Sequence, residues 1–476
     1  MKQIFLASSF FQIATIVAAI DSGDYDKAVT PASTLEGPGA PDSRFEKPNE
    51  RVLLTSTASL VLESAPRLSE LPELTPLLDR FDRVEEITDL ISPFHPHSWS
   101  PREIELPIWE RMLRDRLHLE DDSVELVLES PQANPAMALA RIFHDAHLRV
   151  HSDGLMTYSP TRKFLPLTMG QRVTSLHYLP LVEKISPRLL SEFEITPYPI
   201  SREAFTKIVE LVKAGSSFEL PSQLKSVDRN TTAIAFGQYL ASLGLISEDE
   251  EHELHKSFIS EAKKRNLRTV IFKPHPASPP DWVASLKDFA QKNGMNLIVY
   301  SSPIIAEVLV SEIKPALTIG CFSTALATSR AIYNIPSLAV GTEMLLDRLT
   351  PYQNSNRIPV TISDALFDGS PTALTDERAT EVQMLIDTVA YAMQPKVAAH
   401  LRPVALDFLS KRSAPATMKY FKKKRLTALD LPGGLPKRYR PRTVLRRSFI
   451  EGQKFALEGA RAFLQKRRAQ KALDSE

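Results

Sequence analysis

The run IFLASSFFQIATIVAAI, residues 4–20, decides how the rest of the chain is read. Met1-Lys2 ahead of an apolar stretch that ends in Val17-Ala18-Ala19 has the outline of a secretory leader. The same residues also divide into a strand at Ile4–Ala7, a loop and helix cap at Ser8-Ser9, and a helix at Phe10–Ile20 that stops at Asp21-Ser22-Gly23. Strand, turn and helix in that order open an α/β domain, and this is the reading adopted. The apolar part of the run, broken by Gln12 and Thr15, falls short of the roughly 18–20 residues that span a bilayer, so no transmembrane helix is expected.

Outward from this run, the 476-residue chain has an ordinary globular composition, 43% hydrophobic and 24% charged, with length for two or three packed cores. With 36 Pro against 16 Gly, collagen-like and flexible-linker readings are excluded. One cysteine, Cys321, cannot form an intramolecular disulfide, which points to the cytosol. The formal net charge of +1 conceals an asymmetry: residues 411–476 carry +14 and the rest of the chain −13. An anionic partner for the tail follows from that imbalance.

After a Pro/Ser/Gly/Asp-rich insertion at 22–50, strands are expected at Arg51–Ala58, Arg83–Leu90, Val124–Glu129 and His147–His151, with helices at Ile104–Leu117 and Pro135–Ala146. A second series runs through strands Thr231–Phe236, Thr269–Lys273, Asn296–Tyr300 and Ala316–Ile319, with an acidic helix at Ser247–Arg265 and another, capped by Ser323 or Thr324, running to about Tyr333. Alternating strands and helices predict parallel sheets. The expected division is 1–225, 226–405 and a basic, partly helical tail at 406–476, with ligands bound in the cleft between the two α/β halves.

Several strand ends carry residues suited to chemistry. Lys273-Pro274-His275-Pro276 projects a cation and an imidazole from a loop whose path is fixed by prolines, a combination suited to phosphate; a plain surface turn is the competing reading. Ser323 and Thr324 stand where a helix begins after a strand, a place for an anion or simply a cap. Asp153, followed by Gly154, suits a general base that a substrate can approach closely, or ordinary turn chemistry. Glu307 at a helix start suits a sugar or nucleoside hydroxyl, or the helix dipole alone. Gln12 and Gln238 are weaker candidates of the same kind. No Walker, dinucleotide, G-x-S-x-G or C-x-x-C motif occurs, and neither Asp24-Tyr25-Asp26 nor His95-Pro96-His97 has the pattern of a metal site. No cofactor is expected.

Three of these stretches, in order, resemble the short motifs of bacterial sialyltransferases: His151-Ser152-Asp153-Gly154, then Lys273-Pro274-His275-Pro276, then Phe322-Ser323-Thr324. Leu6-Ala7-Ser8-Ser9-Phe10-Phe11-Gln12 and Ala235-Phe236-Gly237-Gln238 are similar to the polysialyltransferase branch. The resemblance implies two facing Rossmann-like domains (GT-B type), with a CMP-sialic acid donor held mainly by the second. It implies inverting, metal-independent transfer to a surface glycan, with Asp153 as base, His275 as donor-phosphate ligand and acid, and Ser323 and Thr324 on the phosphate. Lys273, Pro276, Glu307, Gly237, Gln238, Ser8, Ser9 and Gln12 complete the expected substrate-binding set. Ser152 departs from the family pattern, which has an acid there.

Two other readings use the same residues: transfer of glycerol phosphate from its cytidine diphosphate, and a non-catalytic adaptor docked on a membrane. In the tail, Leu445, Phe449, Ala456, Ala460 and Phe463 form one stripe among Arg and Lys. It suits either an interfacial helix on anionic lipid or a basic helix packed on the acidic body. Nucleic acid is disfavoured, since few aromatics interleave with the basic residues.

Overall fold

Strand β1 (Lys2–Ala7) is buried at all six positions and lies in the interior of a seven-stranded, all-parallel sheet. The computed structural model describes residues 1–27, 48–57, 67–215, 220–275, 282–370, 373–412 and 414–436. The other strands of the first sheet are β2 (Glu50–Thr55), β3 (Arg83–Glu86), β4 (Val124–Leu128), β5 (His147–Ser152), β6 (Val173–Tyr178) and β7 (Pro197–Pro199), in the order β3-β2-β1-β4-β5-β6-β7. A parallel strand covered on both faces must be apolar along its length. The run from Ile4 to Ala7 satisfies this, and Ser9 then accepts a 3.2 Å hydrogen bond from the Gln12 amide to start the helix Phe10–Asp21. The opening run is therefore core, as its strand and helix reading expects.

Three polar side chains inside this sheet satisfy one another, two of them donating to the third. Gln3 Nε2 on β1 and Arg149 Nε on β5 donate to the two oxygens of Glu125 on β4, at 2.6 and 2.8 Å. The Arg149 guanidinium also donates to the carbonyls of Asp24 and Lys27. This holds the single 3-10 turn Asp24–Asp26 on the sheet and turns Tyr25 fully inward. The two acids of that turn are engaged by Lys27 and Arg51.

The second sheet is five-stranded and also all-parallel, with β8 (Thr232–Phe236), β9 (Thr269–Lys273), β10 (Asn296–Val299), β11 (Leu317–Gly320) and β12 (Ser337–Ala339) in the order β10-β9-β8-β11-β12. Ser247 and Glu250 form a capping box on the acidic helix Glu248–Lys264, satisfying two of the free N–H groups at its start.

Some elements differ from expectation. Arg83–Leu90 is strand only to Glu86, and Ile87–Ile91 is helix. The helix expected to run to Ala146 ends at Ile142. Its end is set by Arg172, whose guanidinium donates to the carbonyls of Ala140, Phe143 and Ala146 at 2.7, 2.6 and 2.9 Å. A cation that collects the free carbonyls of a helix end makes a stable stop. Strands β6, β7 and β12 were not anticipated.

Both sheets belong to one compact unit, Met1–Tyr420; residues 421–476 form another. Within the first unit the helix Arg202–Gly215, between the sheets in sequence, meets the helix Phe10–Asp21 through an edge-on pair of Phe11 and Phe205 rings 5.4 Å apart. The helix Asp376–Met393 returns to the first half. Arg188 makes a two-bond contact with Asp387 at 2.5 and 2.9 Å, and the Ser186 amide donates to Gln383. In the second unit the helix Lys423–Ala428 is described, whereas the expected stripe Leu445–Phe463 lies outside the described residues. Among the described residues no helix is long and apolar enough to cross a membrane.

Candidate active site

Chemistry-bearing side chains gather where the strands of both sheets end. The strand order reverses between β1 and β4 in the first sheet and between β8 and β11 in the second. At such reversals the loops diverge and leave a crevice at the carboxyl ends of the strands. Ser8, Ser9 and Gln12 follow β1, Asp153 follows β5, Gly237 and Gln238 follow β8, Lys273 ends β9, and Ser323 and Thr324 follow β11.

The two halves meet at one of these ends. A Cβ on Gly154 would lie 3.2 Å from Thr324 Oγ1. The backbone of Gly154 is extended and would accept any residue, so glycine is needed there for proximity. The Asp153-Gly154 turn thus abuts the first residue of the helix Thr324–Tyr333, whose N-cap Ser323 accepts from the Ala325 amide. The start of that ten-residue helix offers free N–H groups and a positive dipole end.

On the second sheet, Gly237 permits a second close approach: a Cβ there would stand 2.9 Å from the Phe272 ring and 3.1 Å from Pro274 Cα. The Gly237 amide donates to the Lys273 carbonyl at 2.9 Å, fixing the Lys273–His275 loop on the end of β8. Gln238 spans the reversal point, its Oε1 accepting from the Phe322 amide at 3.1 Å, and its own amide donates to Nε2 of the buried His255. Lys273 Nζ donates to the Ser302 carbonyl at 2.7 Å and stands over the Tyr300 ring. Burial pushes its ammonium down to about 8, an effect that the nearby Glu307 carboxylate opposes. The His275 ring packs 3.9 Å, centroid to centroid, from Tyr239. Burial first, and then the Lys273 charge, push it down to about 4. Glu307, 3% exposed, accepts from Thr328 Oγ1 at 2.6 Å, and burial raises its carboxyl above the usual range.

On the first sheet, burial pushes Asp153 up to about 6. Its charge is felt both at Glu307, across the cleft, and at Glu129, the residue that follows β4. The neighbouring Ser152 hydroxyl is paired with Thr157 Oγ1 at 2.7 Å. Gln12 is buried and turned inward: its Oε1 accepts from the Ser8 amide at 2.7 Å and its side chain hydrogen-bonds Glu129.

A family model described as alpha-2,8-polysialyltransferase (POLYST) matches residues 3–342. The chain belongs to the alpha-2,8-polysialyltransferase family. It is accordingly a glycosyltransferase, and its two parallel sheets meeting at their strand ends form the GT-B type of α/β architecture. No curated protein matches it by sequence. Among solved structures it is similar to the UDP-GlcNAc 2-epimerase from Neisseria meningitidis, at 11% identity over 87% of this chain and 100% of that one, TM-score 0.42. The UDP-GlcNAc 2-epimerase from Methanocaldococcus jannaschii shows 12% identity over 83% and 94%, TM-score 0.42. A sialyltransferase GT-B domain from Photobacterium damselae shows 12% identity over 76% and 95%, TM-score 0.37.

In this polysialyltransferase-family chain several strand-end motifs of the sequence lie near one another: Gly154 abuts Thr324, the Gly237 amide holds the Lys273 carbonyl, Gln238 holds the Phe322 amide, and the charges of Asp153 and Lys273 both act at Glu307. Ser8, Ser9 and Gln12 bond among themselves and, through Gln12, to Glu129. Pro276 lies outside the described residues. Sequence reasoning missed Tyr239, Tyr300 and Glu129. The two tyrosines directly follow Gln238 and β10, so nearness to a strand end was the signal that could have found them.

Proposed function

We propose that this protein transfers sialic acid, or a related sugar, from a CMP-activated donor to a surface glycan, with inversion and without a metal ion. The observation that carries this reading is the approach of Asp153-Gly154 to the helix start at Thr324, with Lys273 and His275 at a strand end of the same sheet, one strand removed. An acid on one wall and an array of positive groups on the other suit a displacement in which a hydroxyl loses a proton as a phosphate departs.

In this reading Asp153 takes the proton of the acceptor hydroxyl as its oxygen bonds to the anomeric carbon. The bond from that carbon to the donor phosphate oxygen breaks on the opposite face. Lys273, Ser323, Thr324 and the free N–H groups of the helix start hold the charge that builds on CMP. Burial favours the neutral form of His275, and a phosphate beside it raises its proton affinity, so it meets the donor as a hydrogen-bond partner and acid. Glu307 takes a sugar or nucleoside hydroxyl. Residues 1–225 serve the acceptor and 226–405 the donor, while the basic tail from 406 rests on the anionic inner face of a membrane; deleting 437–476 abolishes flotation with anionic liposomes, and flotation without those residues refutes the anchor.

Thermal-shift titration with CMP, CDP, UDP and GDP, without added metal, tests the donor. A ligand that binds only the folded state raises the melting temperature. Selective stabilisation by CMP is expected; a preference for CDP favours glycerol-phosphate transfer, and no shift with any nucleotide overturns the reading.

A further inference from the structure

Between Gly154 and Val182 the chain has three cations, Arg162, Lys163 and Arg172, and no Asp or Glu. Arg172 is taken up by the helix end it closes. The other two stand on the connection from β5 to β6, in the stretch Arg162-Lys163-Phe164-Leu165-Pro166-Leu167. The apolar side chains of this stretch divide. Leu165 is buried in the core of the first sheet, as is Met169 just after it, whereas Phe164 is 73% and Leu167 60% exposed. The backbone is held in place: Gln394 Nε2 donates to the Arg162 carbonyl at 2.8 Å, and the Met169 and Gly170 amides both donate to the Pro166 carbonyl at 2.9 Å. Phe164 and Leu167 are thus presented to solvent by a fixed loop. Arg162 and Lys163 beside them are exposed and in no ion pair among the described residues. Glu192, which hydrogen-bonds Thr161 at the base of the loop, is half-buried with its Oε2 shut off from solvent.

We propose that the 162–167 loop is a membrane contact separate from the tail, in which Phe164 and Leu167 enter the boundary between headgroups and acyl chains of an anionic bilayer while Arg162 and Lys163 lie on its phosphates. Exposed apolar side chains flanked by unpaired cations, without acids, are the chemistry of an interfacial segment. A second copy of this face is a poor occupant, because like charges repel and two large side chains fall far short of the roughly 800 Å² per partner of a stable interface. The other exposed apolar group of the first half, at Ile104 and Ile108, lacks the charge pattern: Arg102, Arg114 and Arg141 around it are paired with Glu105, Glu110 and Glu103. Two side chains are too few to hold the protein on a membrane by themselves, so the loop adds to the tail contact and sets which face is turned to the lipid. It lies on the connection that carries Asp153 out of β5, in the half proposed above to serve the acceptor.

The test uses the full-length protein and vesicles of phosphatidylcholine with phosphatidylglycerol. Phe164→Ser/Leu167→Ser is expected to bind them about ten-fold more weakly while melting with the wild type; undiminished affinity overturns the proposal. Arg162→Gln/Lys163→Gln is expected to lose affinity at low salt and little at high salt, and a loss that salt leaves unchanged overturns the phosphate contact. Cys321 is fully buried, so a cysteine placed at an exposed position is the thiol that reacts with a nitrobenzoxadiazole dye. On vesicles the dye on Leu167→Cys is expected to emit at shorter wavelength, whereas on Ile108→Cys it keeps its emission in water. If the protein is vesicle-bound and both dyes keep the emission of water, only the tail meets lipid and the proposal fails. A shift at 167 that needs no vesicles and grows with protein concentration assigns the face to a second copy and equally overturns the lipid contact. None of these residues belongs to the proposed reaction machinery, so nucleotide-induced thermal shifts succeed or fail independently of vesicle binding.

Discussion

The two sheet edges that face the cleft carry opposite chemistry and respond in the same way to burial. On the first, Asp153 and Glu129 are pushed up to about 6 and about 7. On the second, Lys273 and His275 are pushed down to about 8 and about 4. Loss of water disfavours whichever form is charged, so acids become weaker acids and bases weaker bases. The difference between the edges lies in what relieves this. On the acid edge the Gln12 side chain favours the charged form of Glu129 and a backbone N–H that of Asp153. The basic edge is arranged with a helix start and hydroxyls that complement an anion. In the proposed reaction one edge receives a proton and the other a phosphate.

The largest effects follow from removing the charge-bearing group of each edge. Asp153→Asn is expected to lower turnover by about 10²-fold or more while leaving CMP affinity in place. His275→Ala weakens CMP binding and removes the proton uptake that accompanies it, which calorimetry in buffers of different ionisation enthalpy reads directly. If each substitution altered both affinity and proton uptake alike, the division between the edges would be lost.

A smaller effect sharpens the comparison through stability. Asp153 has a folded-state pKa raised above the unfolded value of about 3.9. Its contribution to stability is complete below that unfolded value and declines as pH rises through about 6. Asp153→Asn, which needs no ionisation, is expected to melt about 2–4 °C above the wild type at pH 8 and level with it at about pH 3. His275 has the opposite sign: its pKa is lowered, so its stabilisation is present above the unfolded value and is lost as pH falls towards about 4. His275→Gln therefore gains on the wild type only in acid. Melting curves that differ from the wild type by the same amount at both pH values would break this pairing.

Much of this cleft was legible in the sequence because turns punctuate it. Asp153-Gly154, Pro274-His275 and Ser323-Thr324 each interrupt an apolar run, and each stands at the end of a strand. Where that punctuation is missing, the reading failed. Glu129 reads as the last residue of its strand, since VELVLE holds no turn residue to end it, whereas β4 stops at Leu128. β7 is Pro-Tyr-Pro and β12 is three residues long, too proline-bound and too short to show a period. The end of the helix at Ile142 depends on Arg172, thirty residues downstream, and no local pattern carries that information. Gly154 reads as allowing a substrate to approach closely, whereas the group that the fold brings up to it is Thr324.

That contact has a consequence for how the two halves feel each other. With Thr324 Oγ1 3.2 Å from where a methyl on residue 154 would sit, a side chain placed there would press on the hydroxyl at the start of the helix Thr324–Tyr333, so a change made in the first half would be passed directly to the second.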